Sequence, residues 1–356
     1  MKLLRFEAEG EARLGVLADG RAVDVEAGRV ALRRDGRSDW PQPFIEGVHD
    51  AMRRGAWTLD EMRSLADAVI ARIDTDAALQ DGPERIAFDF DDVRLLNPMP
   101  GQNRIFTCRG LNPNTLWTQN VYAIPVYPTG DMASRNRLIG PRDPIELSPY
   151  PAGFDHEALA PPSWNPELGL IIGKRGHDIP RQEAMSYIAG YTIYVDGSGR
   201  GTARLMHDSE LSARDCLRFG AEPTVAPWCM DHPIGPWITT CDEIDDPYEI
   251  QFTLIDSGIV IDVGYGRSLI FGVDELVHFL SQLMTLEPGD LVTTSALGFD
   301  GLAYRPDYRQ INNPCLRVCS PQLGETLNPI VDRRYEMTDS PSQNMIQRTF
   351  DKEAPS

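Results

Sequence analysis

Asn165 and Glu167 stand two residues apart at the head of an apolar run, Leu168–Gly173. The run ends in glycine and is short, so it reads as a buried strand. Side chains alternate across a strand, which puts Asn165 and Glu167 on one face. A second segment, YTIYVD, closes on Asp196. Only a short helical stretch separates the two segments, so they are expected to lie side by side. Three oxygen-bearing side chains then form one cluster. Oxygen donors suit hard cations, Mg²⁺, Mn²⁺ or Ca²⁺, rather than zinc. Acidic and amide side chains also serve as solvated groups and turn caps at strand ends, and spacing alone does not separate the two roles.

Other catalytic signatures are absent from the sequence. GSGRG follows a strand but does not complete a GxGxxG loop, and there is no GxSxG elbow or HExxH pair. The six histidines are isolated. The pair in CLRVC, Cys315 and Cys319, lacks a second pair at metal-knuckle spacing, and six scattered cysteines do not make a disulfide scaffold. They read as structural thiols in a reducing cytoplasm.

The elements that position the cluster follow from pattern. Residues 1–30 read as a β-meander turning at Asp-Gly. Residues 44–54 and 59–73 carry apolar residues at helical spacing. Pro98 and Pro100 break the chain, which divides it into a small N-terminal domain, residues 1–98, and a larger domain, 99–335, followed by a polar tail, 336–356. The larger domain opens with RIFTC, then runs through a Pro- and Asn-rich loop over 112–165, within which LIGPRDPIEL reads as a turn leading into an edge strand. Strands are expected at IGPWITT, YEIQFTLID, GIVIDV, LEPGDLVTT and LNPIVDR, short and long helices at PRQEAMSYIA and VDELVHFLSQLM. The elements do not alternate regularly as β-α-β-α, so the fold class is α+β with a twisted sandwich or roll as its body.

The formal charge is -19 over 356 residues. That balance argues against nucleic acid or an anionic membrane as partner. No run of about 18 apolar residues spans a bilayer, and MKLLRFEAEGEARLGVL lacks the apolar core of a secretory signal. A cytoplasmic protein is expected.

Several stretches together resemble the fumarylacetoacetate hydrolase family. They are LIGPRDPIEL, PELGLIIGKRGHDIPRQEAMSYIAGYTIYVD, IGPWITTCDEIDDPYEI, GVDELVHFLSQLMTLEPGD and LGETLNPIVDR, in order, with MKLLRF…RLGVLADGRAVDV resembling the N-terminal domain many members carry. The resemblance implies a mixed β-sandwich roll with a small N-terminal α/β domain, a homodimer, and bound Mg²⁺ or Mn²⁺, with Ca²⁺ in some members. It implies a small-molecule carboxylate substrate: a 2-oxo or β-diketo acid undergoing C–C cleavage, decarboxylation, dehydration or tautomerisation. The family's metal ligands fall on Asn165, Glu167 and Asp196. Asp208 and Asp215 are less apt, because YIAGYTIYVD runs into Asp196 without a gap.

The departures are specific. Asn165 replaces the first metal carboxylate. In GLNPNTLWTQN, Leu116 stands where the family places a water-activating His, and no acid follows nearby. The lysine preceding the family's Pro-Leu-Gly-Pro strand is missing from TVAPWCMDHPIGPW, and a Thr-Gly-Thr-Pro loop has become Thr294-Ser295-Ala296-Leu297. General-base work would pass to His156, Glu157 or His207. Arg109 and Arg200 are candidates to grip a substrate carboxylate. The leading expectation is a divalent-metal enzyme of lyase, tautomerase or hydrolase type. The alternative is a fold-retaining subunit that binds without turnover.

Overall fold

The computed structural model describes residues 1–34, 59–76, 79, 85–100, 104–109, 126–133, 137–147, 163–198, 231–298 and 307–333. Its strands are β1 (Lys2–Ala8), β2 (Glu11–Ala18), β3 (Arg21–Asp24), β4 (Ala87–Asp89), β5 (Arg94–Leu96), β6 (Ile105–Arg109), β7 (Thr129–Met132), β8 (Leu138–Ile139) and β9 (Ile145–Leu147). They continue as β10 (Ser163–Ile172), β11 (Ile188–Ser198), β12 (His232–Thr240), β13 (Gln251–Asp256), β14 (Ile259–Tyr265), β15 (Leu291–Ala296), β16 (Cys315–Ser320) and β17 (Gly324–Asp332). Three α-helices are described: α1 (Val25–Arg34), α2 (Leu59–Ile73) and α3 (Val273–Leu283).

Two sheets face each other. Among the described residues the larger has twelve strands along the path β4-β3-β2-β1-β12-β11-β10-β15-β6-β7, with β5 on β1 and β8 on β12. The smaller runs β14-β13-β16-β17-β9. LIGPRDPIEL supplies β9, which stands at an edge of the small sheet, where its proline-flanked backbone costs no ladder bonds. Three hairpins turn on residues with positive φ. They are Glu9-Gly10 (55°, 80°), Asp19-Gly20 (48°, 73°) and Ser257-Gly258 (50°, 88°), the conformation that matches strand twist.

Alternation along the strands, broken locally by bulges, divides the core. One face of the large sheet, with Leu168, Leu170, Ile193, Val195 and Val292, packs against Phe252, Leu254, Leu316 and Val318 of the small sheet and against Leu276, Val277 and Leu280 of α3. The opposite face, with Ile171, Tyr194, Ile234, Ile238 and Leu291, packs against Leu65, Ala66, Val69 and Ile73 of α2. β10 and β11 are therefore covered on both sides. β1 pairs with β12 through Lys2↔Thr239 and Leu3↔Ile238, so strands from the first hundred residues extend the main sheet.

Local structure departs from the sequence-based expectation in two places. The meander expected to residue 30 stops at Asp24, and α1 begins at Val25. The Asp24 carboxylate accepts hydrogen bonds from the Glu26 and Ala27 N–H groups at 3.0 and 2.9 Å, a side-chain cap that starts a helix. The segment PRQEAMSYIA forms a 3₁₀ helix over Arg181–Tyr187 rather than an α-helix. The helix expected over 44–54, most of the 112–165 loop and the tail lie outside the described residues.

Candidate metal centre

β10 and β11 are antiparallel neighbours, and their register sets Asn165 directly opposite Asp196 and Glu167 opposite Tyr194. Directly paired residues project from the same face of an antiparallel sheet, with Cβ atoms about 4.5–5.5 Å apart. Asn165, Glu167, Tyr194 and Asp196 thus form a square of side chains on the face that also carries Ile171 and Ile234. Asn165 and Glu167 are buried, whereas Asp196 is partly open.

Each member has a distinct environment. The Oδ1 of Asn165 is buried and accepts no hydrogen bond among the described residues. An amide oxygen so placed forfeits the water it bonded when unfolded, which costs about 1–3 kcal/mol. One Glu167 oxygen is held, since the Ser295 N–H donates to Oε2 at 3.1 Å. Ser295 adopts φ +80°, a region unusual for a residue with a Cβ. This turn falls at a register shift between β10 and β15, where Glu167 opposes Ala296 and Gly169 opposes Thr293. The Thr294 hydroxyl accepts from the Leu168 N–H at 3.2 Å. The altered Thr294-Ser295 loop therefore still braces the strand that carries Glu167.

Neighbouring groups register the site's negative charge. Burial, and then the charges of Asp196 and Glu167, push the Tyr194 hydroxyl well above its ordinary pKa. Burial, and then Glu167, raise the Cys108 thiol to about 12. Both remain protonated at neutral pH. Cys108, Cys241, Cys315 and Cys319 are free thiols.

His232 is a residue that sequence reasoning missed. It is fully buried, and its ring stacks on Tyr194 with centroids 5.6 Å apart and planes 7° from parallel. Its Nδ1 lies 3.2 Å from the Tyr194 hydroxyl and 3.4 Å from Asp196 Oδ1, and accepts from the Gly197 N–H at 3.3 Å. The available signal was strand alternation: His232 and Ile234 share a face of β12, next to the strand of Asp196. The strand expected over Ile234–Thr240 begins two residues earlier, at His232. In the fold, Pro233 pairs with the short strand β8 through Pro233↔Ile139.

His156, Glu157, Arg200 and His207, with Asp208 and Asp215, lie outside the described residues, as does Leu116. Arg109 ends β6, two positions beyond the Thr107↔Thr293 pairing, and its side chain is not described. Among the described residues no three His, Cys, Asp or Glu side chains form a metal cluster. The donor set that fits a divalent cation is the mixed one, two carboxylates and an orphaned amide oxygen. All three are oxygen donors of the type a hard cation takes.

This architecture, a mixed sandwich with an oxygen-donor cluster at the head of a central strand pair, defines a class. Residues 113–330 match the family described as fumarylacetoacetate hydrolase, C-terminal. The chain belongs to that family. A maleylpyruvate hydrolase of Aquipseudomonas alcaligenes is 29% identical over 307 residues, 82% of this chain and 88% of that one. The fold is similar to a crystal structure of maleylpyruvate hydrolase from Sphingobium sp. SYK-6 in complex with manganese(II) and pyruvate, with a TM-score of 0.61, 21% identity, and coverage of 93% and 99%. It is also similar to fumarylacetoacetate hydrolase from Exiguobacterium antarcticum, with a TM-score of 0.64, 22% identity, and coverage of 94% and 100%. Among the described residues no helix is long and apolar enough to cross a membrane.

Proposed function

We propose that this chain is a divalent-metal-dependent enzyme acting on a 2-oxo or β-diketo acid. The observation that carries the reading is the buried Asn165 Oδ1, which has no hydrogen-bond partner among the described residues and stands across from Asp196 on the face shared with Glu167. Glu167, Asp196 and Asn165 would hold Mg²⁺ or Mn²⁺. When bound, the cation supplies a Lewis acid that polarises the substrate's keto group and favours its enolate. The site's own charge is two negative rather than three, which lowers affinity for the ion and leaves it more electrophilic.

The chain's residues divide the remaining work. Ser295 N–H fixes one oxygen of Glu167. Arg109 and Arg200 are assigned to the substrate carboxylate, and His156, Glu157 and His207 to proton transfer. In the hydrolytic version water adds across the bond between the distal carbonyl carbon and the methylene beside it: the hydroxyl joins the carbonyl carbon and a proton joins the methylene, giving a carboxylic acid and a 2-oxo acid. The family's water-activating His is replaced by Leu116, which favours bond cleavage or tautomerisation without added water. The manganese and pyruvate in the Sphingobium relative support this class of ligand. A homodimer in the cytoplasm is part of the same proposal.

The test is calorimetric titration of the full chain with Mn²⁺ and Mg²⁺, followed by turnover of maleylpyruvate and related acylpyruvates with pyruvate as the readout. Saturable binding that Glu167→Ala abolishes is the expected result. Native protein that binds neither ion at millimolar concentration overturns the proposal and favours the non-catalytic subunit, a reading that the missing carboxylate at position 165 supports.

A further inference from the structure

Asp196 has a neighbour on each side within the sheet. Asn165 faces it from β10. On the other side, β11 and β12 pair through Tyr194↔Ile234. Carrying that register two residues further sets His232 across from Asp196. The contacts agree, since Nδ1 reaches both the Asp196 carboxylate at 3.4 Å and the N–H of Gly197 at 3.3 Å. A nitrogen that accepts from Gly197 has no proton for the carboxylate, so it pins the backbone just after Asp196 and bounds the Asp196 side chain by contact alone. Tyr194, two residues before Asp196 on the same face, stacks on the ring and brings its hydroxyl to the same nitrogen. The ring itself has no exposed surface, and β12 is anchored at its start. The Asp231 carboxylate accepts from the Glu146 N–H at 2.7 Å and pairs with Arg137 at 3.1 Å.

We infer that His232, clamped by Tyr194, is a positioning residue that sets the orientation of Asp196 toward the cation site. The inference rests on the metal reading above and adds a residue to it. A buried aromatic clamp is rigid: the imidazole cannot turn about its long axis without breaking the stack. Asp196, partly open to solvent, would otherwise sample several rotamers. Holding one of them lowers the entropy lost when the ion binds, which is how groups behind metal ligands raise affinity.

Three variants of the full chain test this, each titrated with Mn²⁺ by calorimetry and followed by the electron paramagnetic resonance spectrum of the bound ion. Thermal melting of the metal-free proteins checks folding. His232→Leu keeps bulk but removes the polar nitrogen, and affinity should fall by about 10-fold or more with a changed Mn²⁺ spectrum. His232→Asn places an amide near the position of Nδ1 and should recover most of the affinity and the native spectrum. Tyr194→Phe keeps the stack and should retain native affinity to within a few-fold. Asp196→Asn serves as the ligand control. If His232→Leu melts as the native protein does and binds Mn²⁺ with native affinity and spectrum while Asp196→Asn does not bind, the positioning role is overturned and the metal reading stands. If His232→Leu fails to fold, His232→Val decides: weakened binding and an altered spectrum there, with both restored in His232→Asn, support the clamp, and native behaviour from this apolar variant removes it. Native protein that binds no Mn²⁺ overturns the metal reading and this inference with it.

Discussion

At position 165 an amide oxygen lies directly across a strand pair from the Asp196 carboxylate. A carboxylate there would put two like charges face to face, a destabilising pair in an empty site. Asn165 avoids that repulsion at the cost of one charge toward a cation. Asn165→Asp should therefore move two measurements in opposite directions. Mn²⁺ affinity should rise about 10-fold or more, since a unit charge near an ion is worth up to about 4 kcal/mol at partly screened protein sites. The metal-free melting temperature should fall, and Mn²⁺ should restore it. Calorimetry and melting curves on the same preparation read both, and affinity unchanged by the added charge would count against a cation at this position. The placement of residues 165, 167 and 196 on one face of a strand pair was legible because strand alternation and an apolar run are local signals. His232 was not, because its place beside Asp196 depends on how β12 pairs with β11.

The strands carrying these residues are held at fixed spacing by small side chains. An added Cβ at Gly190 would fall 2.5 Å from the Thr239 carbonyl oxygen and 2.8 Å from Ile238 Cγ2. Gly190→Ala should then pry β11 from β12 and cost about 1–3 kcal/mol, read as a lowered urea midpoint. β12 also carries an irregularity: Tyr191 pairs with Thr239 but Ile193 with Gly235. The Thr192 hydroxyl donates to the carbonyls of Gly235 and Trp237, at 3.3 and 2.8 Å, and so satisfies groups the ladder leaves over. Such features were not legible in sequence, since a bulge depends on what two strands leave unpaired. α2 and α3 were legible from helical spacing. α1 was hidden, because AVDVEA alternates like a strand and only the Asp24 cap redirects it. A Cβ on Gly28 would meet Val69 Cγ1 at 2.4 Å, so α1 and α2 touch closely at a contact that no local pattern announces.

Across the whole molecule, the layer containing α2 is tied to the sheet by charge as well as by apolar packing. Arg63 of α2 meets Asp242, just beyond β12, at 2.6 Å. The Arg63 hydrogen bond is the main reason the Asp242 carboxyl lies well below its ordinary pKa, with Thr240 helping and partial burial opposing. A carboxyl lowered in this way adds stability that is complete above its unfolded value, about 3.9, and disappears as pH falls through the folded value. Both side chains are more than a third exposed, at 37% and 39%, so solvent reduces the effect to about 1 kcal/mol or less. Arg63→Ala should melt below the native protein at pH 7, and the gap should narrow steadily on acidification below about pH 4. A gap that persists at pH 2 would assign the loss to packing of the arginine stem.

The double covering of β10 and β11 governs how the site breathes. Their backbone amides are sealed between two separate apolar layers, and solvent reaches them only when one layer lifts away. Hydrogen–deuterium exchange at Leu168–Ile172 and Ile193–Val195 should accordingly be among the slowest in the chain, proceeding only through openings large enough to part a whole layer from the sheet. Whatever enters or leaves beside Asp196 must do so past a floor that does not yield.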